Sequence, residues 1–207
     1  KDLVTNTTAA ETTEAQGLKS VSATGHTWGT LAKINTSTAT YVDWAMRNAS
    51  NFYWHAVVTK SAGSDATFNF SMHTAGLGMV RVKRTDSTGS WYIWHRSLTA
   101  GKLLIGETTA AEAALGHITV SGTTVTLVDG VIGDGTYLVE AWAHDTSADG
   151  MIQCGSFTTD ASGNATVSGV FEPQYLLAKV STTTGAWITI DSMRGFVVVD
   201  SSTTYLQ

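Results

Sequence analysis

Apolar and polar positions change places in short blocks along this chain, and a cluster of Gly, Ser, Thr or Asp interrupts them at roughly ten-residue intervals. Residues 78–97, GMVRVKRTDSTGSWYIWHRS, show the pattern most clearly. An apolar run at 79–82 leads into a polar turn at 84–89, and a second apolar run follows at 91–94. Two short runs rich in β-branched and aromatic side chains around such a turn predict a β-hairpin. Residues 174–193, QYLLAKVSTTTGAWITIDSM, predict another. The same reading predicts strands at 3–4, within 20–35, and at 40–46, 54–59, 66–72, 103–105, 137–144, 151–157, 164–170 and 196–199. It also predicts a pair at 117–120 and 123–128 around Ser121-Gly122. Thr8-Ala9-Ala10-Glu11 and Thr109-Ala110-Ala111-Glu112 have the T-x-x-E spacing of a capping box, which predicts a helical turn or two after each.

The pattern repeats. Lys83, Thr88, Gly89 and Trp91 fall on Lys179, Thr184, Gly185 and Trp187 at an offset of 96 residues. KDLVTNTTAAE at the start matches KLLIGETTAAE at 102–112 in seven of eleven positions. Residues 41–45 fall on 137–141, Ala66-Thr67 falls on Ala165-Thr166, and residues 195–199 resemble 101–105. The expected organisation is a first β-repeat at 1–101 and a second at 102–195, with 196–207 as the first strand of a third partial unit or an exchanged terminal strand. No Pro- or Ser-rich linker separates the repeats, so they are expected to pack directly or share strands. The chain begins inside a repeat, which leads to the expectation of a processed product or a piece of a longer one.

Composition strengthens the strand reading. Of 207 residues, 43% are hydrophobic and only 14% charged, well below the usual quarter, and 34 threonines supply the polar surface instead. Threonine's branched Cβ suits the outer face of a strand. The expected fold class is all-β, made of tandem β-sandwich or jelly-roll-like units related by an internal repeat of about 100 residues. Net charge is −5 with no basic cluster, so nucleic acid is not an expected partner. No apolar run approaches the ~20 residues that a membrane-spanning helix needs, so membrane insertion is not expected either. Cys154 is the only cysteine and has no CxxC partner, which makes it a buried hydrophobe on this reading.

The stretches VKRTDSTGSWYIWHRSLTAG, AHDTSADGMIQCGSFTTDASGNATV and EPQYLLAKVSTTTGAWITIDSMRGF resemble a repeated, uncharacterised β-domain of tailed-bacteriophage virion structural proteins, often found with laminin-G-like domains. The resemblance covers roughly residues 41–195. One departure is Phe171 before Glu172-Pro173, where the family tends to place Trp. The resemblance implies a non-enzymatic structural protein of a virion: tail fibre, tail-associated adhesin or capsid decoration. It implies a place on the particle surface, partners among its own copies or other virion proteins, and contact with host surface polysaccharide. The alternatives are a lectin-like glycan-binding module and, last, a polysaccharide-degrading enzyme.

Candidate chemistry is thin. The six histidines show no ligand spacing, and no nucleophile or phosphate-binding motif occurs, so no catalytic residue, metal site or cofactor is expected. A glycosidase needs two carboxylates, and the candidates, Asp86, Asp129, Asp134, Asp149 and Asp160, sit in turns where Asp serves backbone geometry. Residues 130–135, GVIGDG, lack the alternating oxygen ligands of a calcium loop. The aromatic residues remain. Trp91, Trp94, His95 and Trp187 are the candidate contacts to a glycan or to a neighbouring unit. If Tyr92 and Trp94 share the core face with Ile188 and Ile190, then Trp91 and Trp187 lie on the other face.

Overall fold

A computed structural model of the chain describes residues 1–41, 43–193 and 195. Among these residues there are twelve strands and no helix. The strands are β1 (Leu18–Ser22), β2 (Gly25–Trp28), β3 (Tyr53–Lys60), β4 (Ala66–Asn69), β5 (Leu77–Arg84), β6 (Trp91–His95), β7 (Leu104–Ile105), β8 (Ile118–Ser121), β9 (Thr124–Leu127), β10 (Gly135–Ala143), β11 (Tyr175–Lys179) and β12 (Trp187–Asp191). All pairings are antiparallel. The all-β class read from the threonine-rich pattern is what the chain adopts.

Two sheets carry the core. One has the order β3-β10-β5-β6-β7, the other β4-β9-β8. Val80, Val82, Tyr137, Val139 and Ala141 from the first meet Ile118, Val125 and Leu127 from the second in one buried cluster, which Phe70, Leu77, Leu103 and Ile132 complete. β10 is the middle of this arrangement. Its sequence, GTYLVEAWA, is largely apolar on both faces because both faces are covered: all of its last five residues but neither of its first two are buried. Tyr137, Val139 and Ala141 turn to the core, while Glu140 and Trp142 lie on the outer face.

Both hairpins read from the sequence form. β5 and β6 pair from Met79↔His95 to Lys83↔Trp91, and β11 and β12 pair from Tyr175↔Asp191 to Lys179↔Trp187. β8 and β9 pair around a loop at Gly122-Thr123, one residue beyond the expected position, where Gly122 takes a positive φ of 57°. Strands from both sides of residue 101 lie in one sheet: β10 and β7 join β3, β5 and β6.

Several expected elements do not form. Residues 40–41 and 43–46, 151–157 and 164–170 are not strands, and residues 3–4 contribute only to a loop closed by the Asp2↔Thr12 bridge. The helical turns expected after the two T-x-x-E motifs are absent; both stretches are non-helical because their backbone groups are engaged elsewhere, as described below. The expected strand at 196–199, and with it the partial third unit at 196–207, lies outside the described residues.

Candidate functional site

Each T-T-A-A-E stretch is an arm docked on the turn of a hairpin. In the first pair the Thr8 carbonyl accepts from Gly89 N–H at 2.9 Å and from Lys83 Nζ at 3.2 Å, and Lys83 also donates to the Arg84 carbonyl at 2.8 Å. Glu11 N–H donates to the Thr85 carbonyl at 2.9 Å, and Trp91 Nε1–H donates to the Thr7 carbonyl at 3.1 Å. In the second pair the Thr109 carbonyl accepts from Gly185 N–H at 2.8 Å and from Lys179 Nζ at 3.1 Å, Lys179 donates to the Val180 carbonyl at 3.1 Å, and Glu112 N–H donates to the Ser181 carbonyl at 2.8 Å. Reciprocal backbone bonds close each arm into a loop, Asp2 with Thr12 and Leu103 with Ala113. The groups that would have capped and propagated a helix at Thr8 and Glu11 are used by a turn more than seventy residues away. Hence the capping-box spacing misleads here.

The sequence requires this local shape. A Cβ on Gly185 would stand 2.3 Å from Val180 Cγ1, so only glycine lets the turn close and present its N–H to the arm. Lys83 is fully buried, and burial pushes its ammonium below the usual range, with Glu107 opposing. Two carbonyls and the Trp91 ring, 5.9 Å away, surround its charge. Burial likewise lowers Lys179.

The outer face of the five-stranded sheet is also filled. Glu140 accepts from Tyr53 Oη at 2.9 Å and from Arg81 Nε at 2.7 Å. The Arg81 guanidinium lies 4.8 Å from the Trp91 ring centre and 5.4 Å from that of Trp142, and Trp142 packs against Tyr53 at 5.2 Å. Burial and the neighbouring Glu140 push the Tyr53 phenol well above its ordinary value.

The four singled-out residues are thus dispersed. Trp91, at 3% exposure, opens β6 between Arg81 and the first arm. Trp94 faces the core, as does Tyr92. His95 closes β6 opposite Met79 and accepts from Ser97 N–H at 3.1 Å. Trp187 opens β12 as Trp91 opens β6, but its buried Nε1–H has no hydrogen-bond partner among the described residues. Sequence reasoning missed Lys83, Lys179, Arg81 and Glu140. The matched lysines at the two turns were the signal for the first two; cross-strand placement of Arg81 and Glu140 needed the register.

Four of the five turn carboxylates, Asp86, Asp129, Asp134 and Asp160, are engaged. Asp129 and Asp134 converge on the buried Lys60 ammonium at 2.5 and 2.8 Å, beside a cleft of about 290 Å³ lined also by Gly63, Gly130 and Gly133. The Lys60 hydrogen bond holds Asp129 below the usual carboxylate range, and Arg84, at 2.7 Å, does the same to Asp86. Asp160 caps its own turn through Ser162 and Asn164 N–H. A general acid needs the opposite shift. A smaller cavity of about 110 Å³ lies between Arg84, Tyr92, His117 and Tyr137, with His117 stacked on Tyr92 at 4.1 Å. Among the described residues no group of His, Cys, Asp and Glu has the makings of a metal site.

A family profile described as a domain of unknown function, DUF7483, matches residues 1–206. No curated protein and no solved structure matches the chain.

Proposed function

The chain belongs to the DUF7483 family of domains of unknown function, and from that premise we propose that it is a non-enzymatic structural protein built of two tandem repeats, serving on the surface of a tailed-phage virion as part of a tail fibre, tail-associated adhesin or capsid decoration. The observation that carries the structural role is the pair of docked arms. Lys83, Thr85 and Gly89 hold Thr8 and Glu11 by the same bonds with which Lys179, Ser181 and Gly185 hold Thr109 and Glu112. The most elaborate recognition in the molecule is therefore of its own segments. This also supports the repeat of about 100 residues. The wrapping of β3, β10 and β5 over β4 and β9 supports a jelly-roll-like unit, with β6 and β7 remaining beside β5. Carboxylates held low by cations support the non-enzymatic reading.

The phage assignment rests on the resemblance of residues 41–195. Its test is immunogold labelling of purified tailed-phage particles with antibody against this chain. Label at a regular position on tail or capsid is expected. A chain abundant in the lysate and missing from intact particles would remove the assignment.

Glycan contact is the second reading, favoured by exposed rings away from the candidates named from sequence. Trp44 and Tyr175 meet edge to face at 5.6 Å, and Trp28 packs on His26 at 5.3 Å, all three aromatic residues being more than two-fifths exposed. Trp91 is already sandwiched and offers no open face.

A further inference from the structure

We propose that residues 43–46, which lie outside any strand in this structure, add to the open edge of β11 as the middle strand of a second sheet, and so close a second sandwich within the same chain. The inference rests on the two-repeat reading and extends it to an interaction surface and its occupant. Among the described residues β11 has one hydrogen-bonded neighbour, β12, whereas β5, its counterpart at an offset of 96, has two, β6 and β10. The face that β5 and β6 bury in the core is open in the second hairpin. Val80 and Val82 are 0% exposed; Leu176, Ile188 and Ile190 are 42%, 54% and 41% exposed. An unpaired strand edge beside an apolar face is an acceptor for another strand.

The opposing hairpin of the second sandwich is present as well. β1 and β2 pair as Ser22↔Gly25 and Val21↔His26, matching Ser121↔Thr124 and Val120↔Val125 of β8 and β9 at an offset of 99. In the first sandwich β10 lies against β5 at its edge and reaches β9 through the core, where Val139 and Val125 share one cluster. Residues 41–45 stand where 137–141 stand, which puts Asp43 at the Val139 position and His26 at the Val125 position. His26 Nε2 and Asp43 Oδ2 are 2.8 Å apart. The same offset puts Trp44 opposite Leu177, with Tyr175 its diagonal neighbour on one face, and the Trp44 and Tyr175 rings are 5.6 Å apart. Two independent contacts thus hold Asp43 beside β2 and Trp44 beside β11, as β10 lies between β9 and β5. The occupant is this chain's own segment, because both contacts are already made within it. Each repeat then takes its middle strand from the other: 135–143 completes the first sheet, 43–46 the second.

The transferred register sets Ala45 opposite Leu176, as Ala141 is opposite Val80. Facing residues of paired strands have Cα atoms roughly 4.5–5.5 Å apart, within disulfide range. Ala45→Cys with Leu176→Cys, on a Cys154→Ala background, should oxidise to an intramolecular disulfide in most chains of the isolated monomer. A disulfide between chains, or none, overturns the closed arrangement. As a second readout, His26→Val with Asp43→Val installs the first sandwich's pair; the double variant should melt about 3 °C or more above the parent and either single variant below it. A double variant no more stable than the singles also overturns it. Both readouts use the isolated chain, whereas the virion assignment is read on particles, so either can fail alone.

Discussion

Cys154 sits directly over Gly78: a Cβ on that glycine would lie 2.5 Å from the thiol sulfur and 2.7 Å from the Ala143 carbonyl oxygen. Cys154 N–H also donates to His144 Nδ1 at 3.1 Å. The contact fixes residues after β10 against the start of β5. Gly78→Ala should cost about 1–3 kcal/mol, read from urea unfolding, by overpacking. Cys154→Gly should restore part of it in the double variant, the clash with the Ala143 carbonyl remaining. Equal losses in the presence and absence of the sulfur would show that the two residues are not coupled.

Burial pushes the Cys154 thiol up to about 11. The group therefore stays protonated at neutral pH, and the thiolate is the reactive form. A disulfide reagent such as dithionitrobenzoate at pH 8 should label the folded chain far more slowly than the urea-unfolded chain. Comparable rates in the two states would contradict the half-buried placement of Cys154.

Glu140 is the hinge of the outer-face network. Glu140→Gln keeps the shape but removes the charge that Arg81 and the Tyr53 hydroxyl address. A loss of about 2 kcal/mol is expected for hydrogen bonds to a charged group. A denaturant midpoint within error of the parent, at unchanged slope, would place the network outside the stability of the fold.

His73 is fully buried and stacked on Phe70, and burial lowers its pKa from the ordinary 6.5, the Ala141 carbonyl opposing. Above 6.5 the imidazole is neutral in both states and costs nothing. As pH falls below 6.5 toward the folded value, the unfolded chain takes up a proton that the folded chain resists, so stability is lost. The melting temperature of the parent should fall more between pH 7.5 and pH 5 than that of His73→Leu. Parallel curves for the two would exclude His73 as a source of the slope.

The boundary expected at residue 101 would divide the first sheet. A chain of residues 1–101 retains β3, β5 and β6 but lacks β10, which pairs with both β3 and β5. It also loses Tyr137, Val139 and Ala141 from the core. Such a fragment should show no cooperative unfolding by circular dichroism, and adding residues 102–195 should restore strand signal. A cooperative transition in the fragment alone would mean that β10 is dispensable.

What could be read beforehand was local. The β5–β6 and β11–β12 hairpins follow from runs, turns and residue types within twenty positions. β10 was legible as a strand, but its place between β3 and β5 was not, since pairing partners some eighty and fifty residues away leave no mark in its own periodicity. The arms failed for the same reason: T-x-x-E is a local signal, and the hydrogen bonds that overrode it come from distant turns. Trp91 and Trp187 were recognised as a matched pair, yet burial of the first depends on Arg81 and Thr7, neither of them its neighbour in sequence. Residues 43–46 and 151–157 carry strand composition without forming a strand, because composition alone does not supply the pairing.

Lys60, meeting Asp129 and Asp134 with its ammonium, puts a covalently tethered cation where two carboxylates and a glycine turn converge. Many extracellular loops of that outline borrow their positive charge from the surrounding water and soften when it is diluted or chelated. This one carries its counterion with it, so its shape does not call for a bound divalent ion.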